Sequence, residues 1–420
     1  MVAMDLDTLC TKQQISFYSH VEPDIRFNVY GDPQIEGDAK IQREPTTGKY
    51  DLLINDYYLH HVYKSTITAF KPHYVVTMGD IFSSQWVKHE EYYKRIERFK
   101  WISHRIDNQN RTINSSHKYI FMAGNHDIGY GEETRAYHIN RFVKNFGTLN
   151  RKWSLNINGR EHRIAILNAM NLDKSRIEQY RIDAWDFVRE LAADHIRHPD
   201  VPLILFLHIP LYKPNGVCIS SSKTIYRDGF VRYQDYLSPE TSAYLLHCLA
   251  PTLVFNGHDH DGCTAVHTVS PNASIPVALD TSSNRQLVSA SDLCSLTLAE
   301  LDAYQPQVEA FALGTMISVA STNATNTNSS WSTIEITVRS AMGEYGGVTG
   351  IFDISSDSSS QVSAAHAGLH AFGRNVKVTA NGHIYQYREV PFGYHIVIRA
   401  LVITNIVSCI VIPALLLLCS

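Results

Sequence analysis

The sequence predicts an α/β fold in which ligands are bound where strands end. Two observations support this prediction. Short apolar runs with the character of buried strands alternate with longer segments of helical spacing. Five of those runs are followed, directly or after one glycine, by a carboxylate, an amide or an imidazole. Alternating strands and helices favour a largely parallel sheet, whose ligands lie outside the carboxyl ends of the strands.

The candidate elements follow from hydrophobic periodicity. Apolar runs of four to eight residues bounded by turn residues are typical of buried strands, and apolar residues at every third or fourth position are typical of helices. The predicted strands cover residues 26–30, 74–78, 118–123, 163–168, 203–207, 253–256, 334–338 and 350–354. Helices are predicted over residues 51–70, 85–106 and 176–198, and Pro72 and Pro199 end two of them.

Composition divides the chain into four segments. Residues 1–24 form a leader, and residues 25–354 form the main domain, with a Ser/Thr/Asn-rich insertion at about 270–332 that contains a helical patch near 285–313. Residues 355–395 are interpreted as a linker and a membrane-proximal module. The apolar stretch 396–419 is predicted to be a C-terminal transmembrane helix, because about 20 apolar residues span a bilayer core; a buried terminal helix is the alternative.

Charge and cysteine content exclude several classes of protein. The net charge of -4 and the lack of a basic stripe argue against nucleic acid as a partner. Seven cysteines without CxxC spacing exclude zinc-finger and thioredoxin-type sites. Cys218, Cys248, Cys263 and Cys294 could form disulfides in an oxidising compartment, but the sequence does not pair them, and buried free thiols are an equal alternative.

The polar residues that follow the apolar runs are candidate metal ligands. They are Asp32, Asp80, Asn125, His208, His258 and His260. Oxygen and nitrogen donors without a thiolate suit manganese, iron or zinc. Two divalent metals about 3.5–4 Å apart can clamp a phosphate and promote in-line displacement. The pattern therefore predicts an enzyme with a dinuclear metal site that holds manganese, iron or zinc.

The order of the blocks GD, GD, GNHD, H and GHDH resembles the calcineurin-like metallophosphoesterase superfamily. This resemblance implies a four-layer β-sandwich flanked by helices. It also implies that Asp80 bridges the two metals. Asp32 and His260 would complete one metal site, and the other site would be completed by three residues, Asn125, His208 and His258.

The same resemblance implies catalytic residues and shows one departure from the superfamily pattern. His126 is expected to be an unliganded general acid that protonates the leaving oxygen, and Asp127 is expected to orient it. The first block of the superfamily is usually Asp-x-His, whereas Gln34 stands at the third position here. Because an amide oxygen is a weaker ligand than an imidazole, Gln34 is expected to bind the first metal weakly. No substrate-binding residue is predicted.

Longer segments narrow the resemblance. Residues 31–37, 79–86, 124–129 and 338–345 are similar to the fungal branch of the GPI-glycan ethanolamine-phosphate phosphodiesterases, in which glutamine at the position of Gln34 is common. The likeness runs from about residue 25 to 400, apart from the insertion. It implies a manganese-dependent phosphodiesterase that removes ethanolamine phosphate from a GPI mannose, with the second mannose favoured. The catalytic domain would be lumenal, at the endoplasmic reticulum or early Golgi membrane.

Two other functions stay open. The first is a tail-anchored, cytosol-facing metallophosphatase acting on phosphoproteins or nucleotides. It is favoured by the lack of a signal-peptide core in residues 1–14 and by Arg388 and Arg399, which lie on the domain side of the apolar segment. Since the family normally has an N-terminal anchor, we expect instead that the sequence begins inside a longer chain. The second is a non-enzymatic trafficking factor with a vestigial site, which the complete ligand set argues against.

Glycosylation is compatible with the sequence but is not established by it. Five N-x-[ST] sequons occur, at Asn110, Asn114, Asn272, Asn323 and Asn328.

Overall fold

The computed structural model of this protein describes residues 22–106, 109, 112, 116–269, 293–303, 331–356, 374–380 and 382–392, together with the backbone of four short strands between residues 275 and 320. Two seven-stranded sheets dominate the described part of the chain. Helices lie beside them, so the fold is mixed α/β.

The elements follow one another in the order that the periodicity predicts. The strands are β1 (Ile25–Tyr30), β2 (Tyr74–Thr77), β3 (Lys118–Phe121), β4 (Arg151–Ile157), β5 (Arg160–Leu167), β6 (Leu203–Leu207), β7 (Thr224–Arg227), β8 (Phe230–Gln234), β9 (Leu253–Asn256), β10 (Cys263–Val269), β11 (Ile275–Ala278), β12 (Arg285–Val288), β13 (Ala310–Ala312), β14 (Met316–Ala320), β15 (Trp331–Thr337), β16 (Val348–Ser356), β17 (Asn375–Ala380) and β18 (His383–Pro391). The helices are α1 (Asp38–Arg43), α2 (Gly48–Phe70), α3 (His89–Ile102), α4 (Asn125–Ile128), α5 (Ala136–Phe146), α6 (Glu178–Arg197), α7 (Pro239–Leu249) and α8 (Leu298–Ala303).

The topology of the two sheets brings the predicted ligands to one edge. The first sheet has the strand order β14-β17-β18-β16-β1-β2-β3, and the second has the order β13-β10-β15-β9-β6-β5-β4. Strands β1, β2 and β3 are mutually parallel, as are β5, β6 and β9. The carboxyl ends of parallel strands share an edge of the sheet, which is where open α/β sheets bind ligands.

Aromatic side chains fill the space between the sheets. Phe27 on β1 lies 6.2 Å from Phe206 on β6, and Phe255 on β9 lies 4.7 Å from Phe352 on β16, measured between ring centroids. All four rings are fully or almost fully buried. Burying an aromatic ring of this kind contributes about 1.5–3 kcal/mol, so this layer supplies much of the stability of the sandwich.

Helices cover the outer faces of both sheets. On the first sheet, Tyr63 of α2 stacks on Tyr30 of β1 at 3.8 Å, and its hydroxyl hydrogen-bonds to Thr77 at the end of β2. On the second sheet, α6 and α7 meet through Trp185 and Tyr244, whose ring centroids are 5.0 Å apart. The layers thus run helix, sheet, sheet, helix.

Most of the predicted elements are confirmed, with shifts of a few residues at their ends. The strands ahead of the candidate ligands all form. The helix predicted over 85–106 is shorter and spans His89–Ile102. The prediction of a helical patch near 285–313 is wrong in part. Among the described residues of this range, Leu298–Ala303 forms a helix, but Arg285–Val288 is a strand paired with Ile275–Ala278.

The predicted boundary of the main domain at residue 354 is too early. Strands β17 and β18, predicted to be part of a separate membrane-proximal module, pair with each other and with β16 in the first sheet. Polar residues in β18 concealed this strand in the sequence, since Arg388 and Glu389 are buried through ion pairs with Asp353 and Arg374.

The membrane segment and the sequons fall outside the part of the chain that the structure describes. This holds for the transmembrane helix predicted over 396–419 and for all five sequons. Within the described ranges, no helix combines the length and the apolar character that a membrane span requires.

Two disulfides pair the four cysteines that the sequence left unpaired. Cys218, in the loop after β6, is joined to Cys263 at the start of β10, with the Cα atoms 5.8 Å apart. Cys248 of α7 is joined to Cys294, ahead of α8, with a Cα separation of 5.5 Å. The first disulfide attaches the loop after β6 to the second sheet, and the second attaches the segment ahead of α8 to α7.

A buried polar network lies beneath the loop that follows β6. The carboxylate of Glu335 accepts hydrogen bonds from Lys213 at 2.8 Å, from the His267 imidazole at 2.7 Å, from the Asn256 amide at 2.6 Å and from the Leu211 backbone at 2.7 Å. Burial alone would raise the pKa of Glu335, but Lys213 and His267 lower it to about 2. The network thus fixes the loop between β6 and β7.

We predict that Lys213→Met destabilises the protein strongly, because it leaves the Glu335 carboxylate buried without its cation. The expected loss is about 3–5 kcal/mol in the free energy of unfolding. Urea denaturation followed by tryptophan fluorescence measures it. The matched control is Lys152→Met, which removes a surface ammonium paired with Glu190 and Asp194, where exposed pairs contribute about 0–1 kcal/mol. Equal losses in the two variants would contradict this account of the network.

Candidate metal centre

Both sheets contribute to one cluster of polar side chains. Asp32, Asp80 and Asn125 follow β1, β2 and β3 of the first sheet, and His208 and His258 follow β6 and β9 of the second. The structure brings all five together with Gln34, His126 and His260, because the carboxyl ends of the two sets of parallel strands face the same side of the sandwich.

One group of donors surrounds Asp80. A ligand atom from each of Asp80, His208 and His258 lies within 4.8 Å of the other two. Asn125 joins this group, since its side-chain oxygen is 3.2 Å from His208 Nε2. A mixed set of oxygen and imidazole donors at this spacing fits a divalent cation.

A second group shares Asp80 with the first. His260 Nε2 is 3.4 Å from the carboxylate of Asp32 and 3.1 Å from the side-chain amide of Gln34. The Gln34 amide also donates to Asp80 Oδ2 at 3.2 Å. Asp80 therefore stands between two donor groups, which is the arrangement that a bridging carboxylate in a two-metal site requires.

Hydrogen bonds outside the cluster fix the orientation of two imidazoles. His208 Nδ1 donates to the Met78 carbonyl at 2.7 Å, which leaves Nε2 as the free donor atom facing Asp80 and Asn125. His258 Nε2 donates to the Gln234 carbonyl at 2.9 Å, which leaves Nδ1 free. Partners of this kind set the tautomer and the direction of metal-binding histidines.

The backbone at the site is strained. Four of the cluster residues have positive φ angles, namely Asp32 (32°), Gln34 (40°), Asp80 (46°) and His258 (69°). Residues other than glycine rarely adopt this region, at a cost of order 1–3 kcal/mol each, and such strain clusters at functional sites.

Two glycines allow the strand ends to approach the carboxylates closely. A Cβ added at Gly124 would collide with Asp80, and a Cβ added at Gly257 would collide with Asp32. Both contacts involve buried carboxylates rather than flexible ends of side chains. The GNHD and GHDH blocks therefore require glycine at these positions for steric reasons.

The electrostatics of the cluster favour a cation. Asp32 and Asp80 are both 1% exposed. Burial alone would lower the pKa of His208, but Asp80 and Asp32 raise it to about 10. Burial and the neighbouring His208 lower the pKa of His258 to about 4, so this imidazole is a neutral donor. A metal ion at the cluster would take the place of the proton on His208.

His126 lies beside the cluster without joining it. Its backbone amide donates to Asp80 Oδ1 at 2.8 Å, while its imidazole Nε2 is 3.8 Å from Asp80 Oδ2. The side chain is 37% exposed and faces the pocket. It is thus accessible to a bound substrate.

Asp127 does not have the role that the sequence suggested. No hydrogen bond joins it to His126 in the described structure. Its buried carboxylate instead accepts from the backbone amides of Gly124 at 2.9 Å, Ile81 at 3.1 Å and Phe82 at 3.3 Å. Asp127 therefore fixes the loop after β2 to the loop after β3, and positions Asp80 and His126 only through the backbone.

The pocket contains residues that sequence reasoning left out. A cavity of about 610 Å³ opens from the metal cluster and is also lined by Tyr130, Tyr233, Asp235 and Tyr345. The Tyr130 hydroxyl is 3.4 Å from His258 Nε2. The position of Tyr130 close behind the GNHD block was a usable signal, whereas Tyr233 is in β8 and Asp235 directly follows it, where no motif marks the chain.

Comparisons with known proteins agree with this geometry. The sequence profile of the calcineurin-like phosphoesterase family matches residues 25–262. An uncharacterized protein of Schizosaccharomyces pombe is 30% identical over 278 residues, covering 58% of this chain and 63% of that protein. Protein TED1 of Saccharomyces cerevisiae is 26% identical over 318 residues, covering 59% of this chain and 66% of that protein. Metallophosphoesterase 1 of Mus musculus is 26% identical over 247 residues, covering 54% of this chain and 59% of that protein. The chain thus matches less than two thirds of the length of each relative.

We predict that Asp80→Asn abolishes binding of at least one metal ion, because it removes the charge and one donor oxygen shared by both groups. His126→Ala is the matched control, since this imidazole belongs to neither group. Manganese bound per chain after dialysis, measured by inductively coupled plasma mass spectrometry, should fall in the first variant and stay at the wild-type level in the second. Full manganese content in Asp80→Asn would rule out a bridging role.

Proposed function

Because the chain belongs to the calcineurin-like phosphoesterase family, we propose that it is a phosphodiesterase that removes ethanolamine phosphate from a mannose of GPI glycans. The observation that carries the hydrolase assignment is the convergence of two donor groups on Asp80. The narrower substrate assignment is supported by the segments at 31–37, 79–86, 124–129 and 338–345, which are similar to GPI-glycan phosphodiesterases.

Two divalent metal ions, for which manganese is proposed, would be held by the donor groups that share Asp80. Asn125, His208 and His258 would hold one ion. Asp32 and His260 would hold the other, which Gln34 would join only through its amide oxygen in place of the nitrogen that now faces Asp80. When bound, such a pair of ions polarises the phosphate and supplies a nucleophile from water at neutral pH.

The residues of the chain would position the substrate and supply a proton donor. In the hydrolysis, water oxygen becomes bound to phosphorus, the bond between phosphorus and the mannose oxygen breaks, and that oxygen takes up a proton. His126 is the exposed imidazole beside Asp80, so it is proposed to donate this proton. The pocket continues past the cluster to Tyr233 and Asp235, which leaves room for the second substituent of a diester.

The two disulfides support a lumenal catalytic domain. Structural disulfides persist in oxidising compartments and are rare in the cytosol. The Cys218–Cys263 and Cys248–Cys294 pairs thus favour the early secretory pathway over the alternative of a cytosol-facing phosphatase. The proposed partners are a GPI-anchored glycolipid or protein as substrate and the membrane that carries it.

We predict that His126→Ala lowers kcat about 100- to 10,000-fold on a GPI glycan bearing ethanolamine phosphate, as expected for loss of a general acid. The loss should be much smaller on bis(p-nitrophenyl) phosphate, because p-nitrophenolate leaves without a proton. Mass spectrometry of the glycan and absorbance of p-nitrophenolate measure the two rates. Equal losses on both substrates would exclude the proton-donating role, and a wild-type protein inactive on the GPI glycan would overturn the substrate assignment.

For localisation, we predict that the four paired cysteines are oxidised in the cell and therefore resist alkylation. Maleimide added to cells after permeabilisation should label Cys218, Cys248, Cys263 and Cys294 only after reduction, as peptide mass spectrometry would show. If all four react before reduction, the lumenal assignment fails.

A further inference from the structure

The wall of the pocket on the side of β8 is strongly acidic and holds one compensating cation. Among the described lining residues, Arg232 is the only Lys or Arg, and it pairs with Glu133 and Glu132. Three other carboxylates, those of Asp235, Asp259 and Asp261, form no ion pair with a Lys or Arg in the described structure. The wall therefore holds more carboxylates than Lys or Arg side chains in contact with them.

Asp259 is a buried carboxylate with an unused acceptor. It is 6% exposed, and its Oδ1 accepts from the Asp261 backbone at 3.2 Å. Its Oδ2 is enclosed and has no partner at hydrogen-bonding geometry among the described residues. The nearby Ser220 side chain offsets only part of the rise that burial causes in the pKa of Asp259. Lys213 does not satisfy Asp259 Oδ2, because that ammonium donates to Glu335 and to the Leu211 carbonyl. A buried acceptor left without a donor costs about 1–3 kcal/mol, so a ligand that donates there would be favoured.

Aromatic rings stand beside these carboxylates. The ring centroids of Tyr130 and Tyr233 are 5.8 Å apart, and the two ring planes meet at 60°. The Tyr233 hydroxyl donates a hydrogen bond to the Asp235 carboxylate. Tyrosine rings next to carboxylates are the surroundings that bind an organic ammonium group, through cation–π attraction and charge-assisted hydrogen bonds.

The wall is held at a fixed position relative to the metal cluster. The Gln234 carbonyl accepts from His258 Nε2 at 2.9 Å, and Tyr233 and Asp235 flank Gln234 in the chain. Tyr233 is in β8 and Asp235 comes directly after it, and both line the pocket, whereas Gln234 between them is buried. A phosphate at the cluster would thus have the acidic wall close by.

We propose that Tyr233, Asp235 and Asp259 form a subsite for the ammonium group of the ethanolamine that remains on the phosphate. This inference rests on the proposed function. A two-carbon arm separates the ammonium nitrogen of ethanolamine from the phosphate oxygen, which suits a wall adjoining the metal ligands. The subsite selects among diesters and takes no part in bond cleavage.

The test compares two diesters, p-nitrophenyl 2-aminoethyl phosphate and p-nitrophenyl propyl phosphate. They differ only in whether the second substituent ends in an ammonium group or in a methyl group. Their kcat/KM values are measured on the full chain loaded with manganese. The wild type should prefer the aminoethyl diester by about 10- to 100-fold, as hydrogen bonds to a charged group predict. Ethanolamine phosphate should also inhibit more strongly than propyl phosphate.

Substitutions in the pocket wall test which residues cause the preference for the aminoethyl diester. Asp259→Asn and Asp235→Asn should each lower the preference ratio about tenfold, and Tyr233→Leu a few-fold, as loss of a cation–π contact predicts. Because both substrates are measured on the same protein, a change in metal content cancels in the ratio. The matched control is Asp228→Asn, a carboxylate at the exposed turn between β7 and β8 that lies outside the pocket, and its ratio should equal that of the wild type.

The outcomes separate this inference from the proposed function. If the wild type hydrolyses both diesters with equal efficiency, the ammonium subsite is overturned and the phosphodiesterase proposal stands. If it hydrolyses neither, the phosphodiesterase proposal fails and the subsite fails with it. A wild-type preference that survives unchanged in all three pocket variants would overturn the assignment to these residues.

Discussion

Two carboxylates buried at the junction of two sheets impose the main constraint on this protein. Asp32 and Asp80 are almost completely enclosed, and removing a carboxylate from water costs several kcal/mol even after the protein relaxes. Backbone amides offset part of this cost, since the amide of His258 donates to Asp32 at 3.0 Å and that of His126 to Asp80 at 2.8 Å. The remaining charge calls for cations, and the surrounding imidazoles and amides are the donors that would hold them.

The same constraint explains why the backbone is strained here. Positive φ angles at Asp32 and Asp80 turn each side chain inward at the end of its strand. Glycines at 124 and 257 leave the space that these carboxylates occupy. Such strain persists only where the surrounding structure enforces it, and the enforcing structure is the pair of sheets packed through Phe27, Phe206 and their neighbours.

Local patterns made much of the fold and the ligand set predictable. Each ligand follows an apolar run, so the strand and the residue it presents are encoded within a few positions of each other. The prediction failed where burial depends on distant partners. Strand β18 looked like part of a linker module because Arg388 is polar, although Asp353 neutralises it in the folded chain. Asp127 shows a second limit, since a motif identifies a carboxylate without showing that backbone amides bind it.

The residues that the sequence did not reveal share a structural origin. Tyr233 and Asp235 belong to a hairpin that pairs with neither of the two large sheets, and the hairpin is fixed to the site through the Gln234 carbonyl. The preceding loop is also attached, by the Cys218–Cys263 disulfide. The metal ligands lie at sheet ends, whereas Tyr233 and Asp235 lie on or next to this attached hairpin. Side-chain changes at these two positions that leave the Gln234 carbonyl in place can therefore alter the pocket wall while His258 keeps its orientation. A site built in this way separates the chemistry, which needs strained and rigid strand ends, from the choice of substrate, which needs only a wall at a fixed distance.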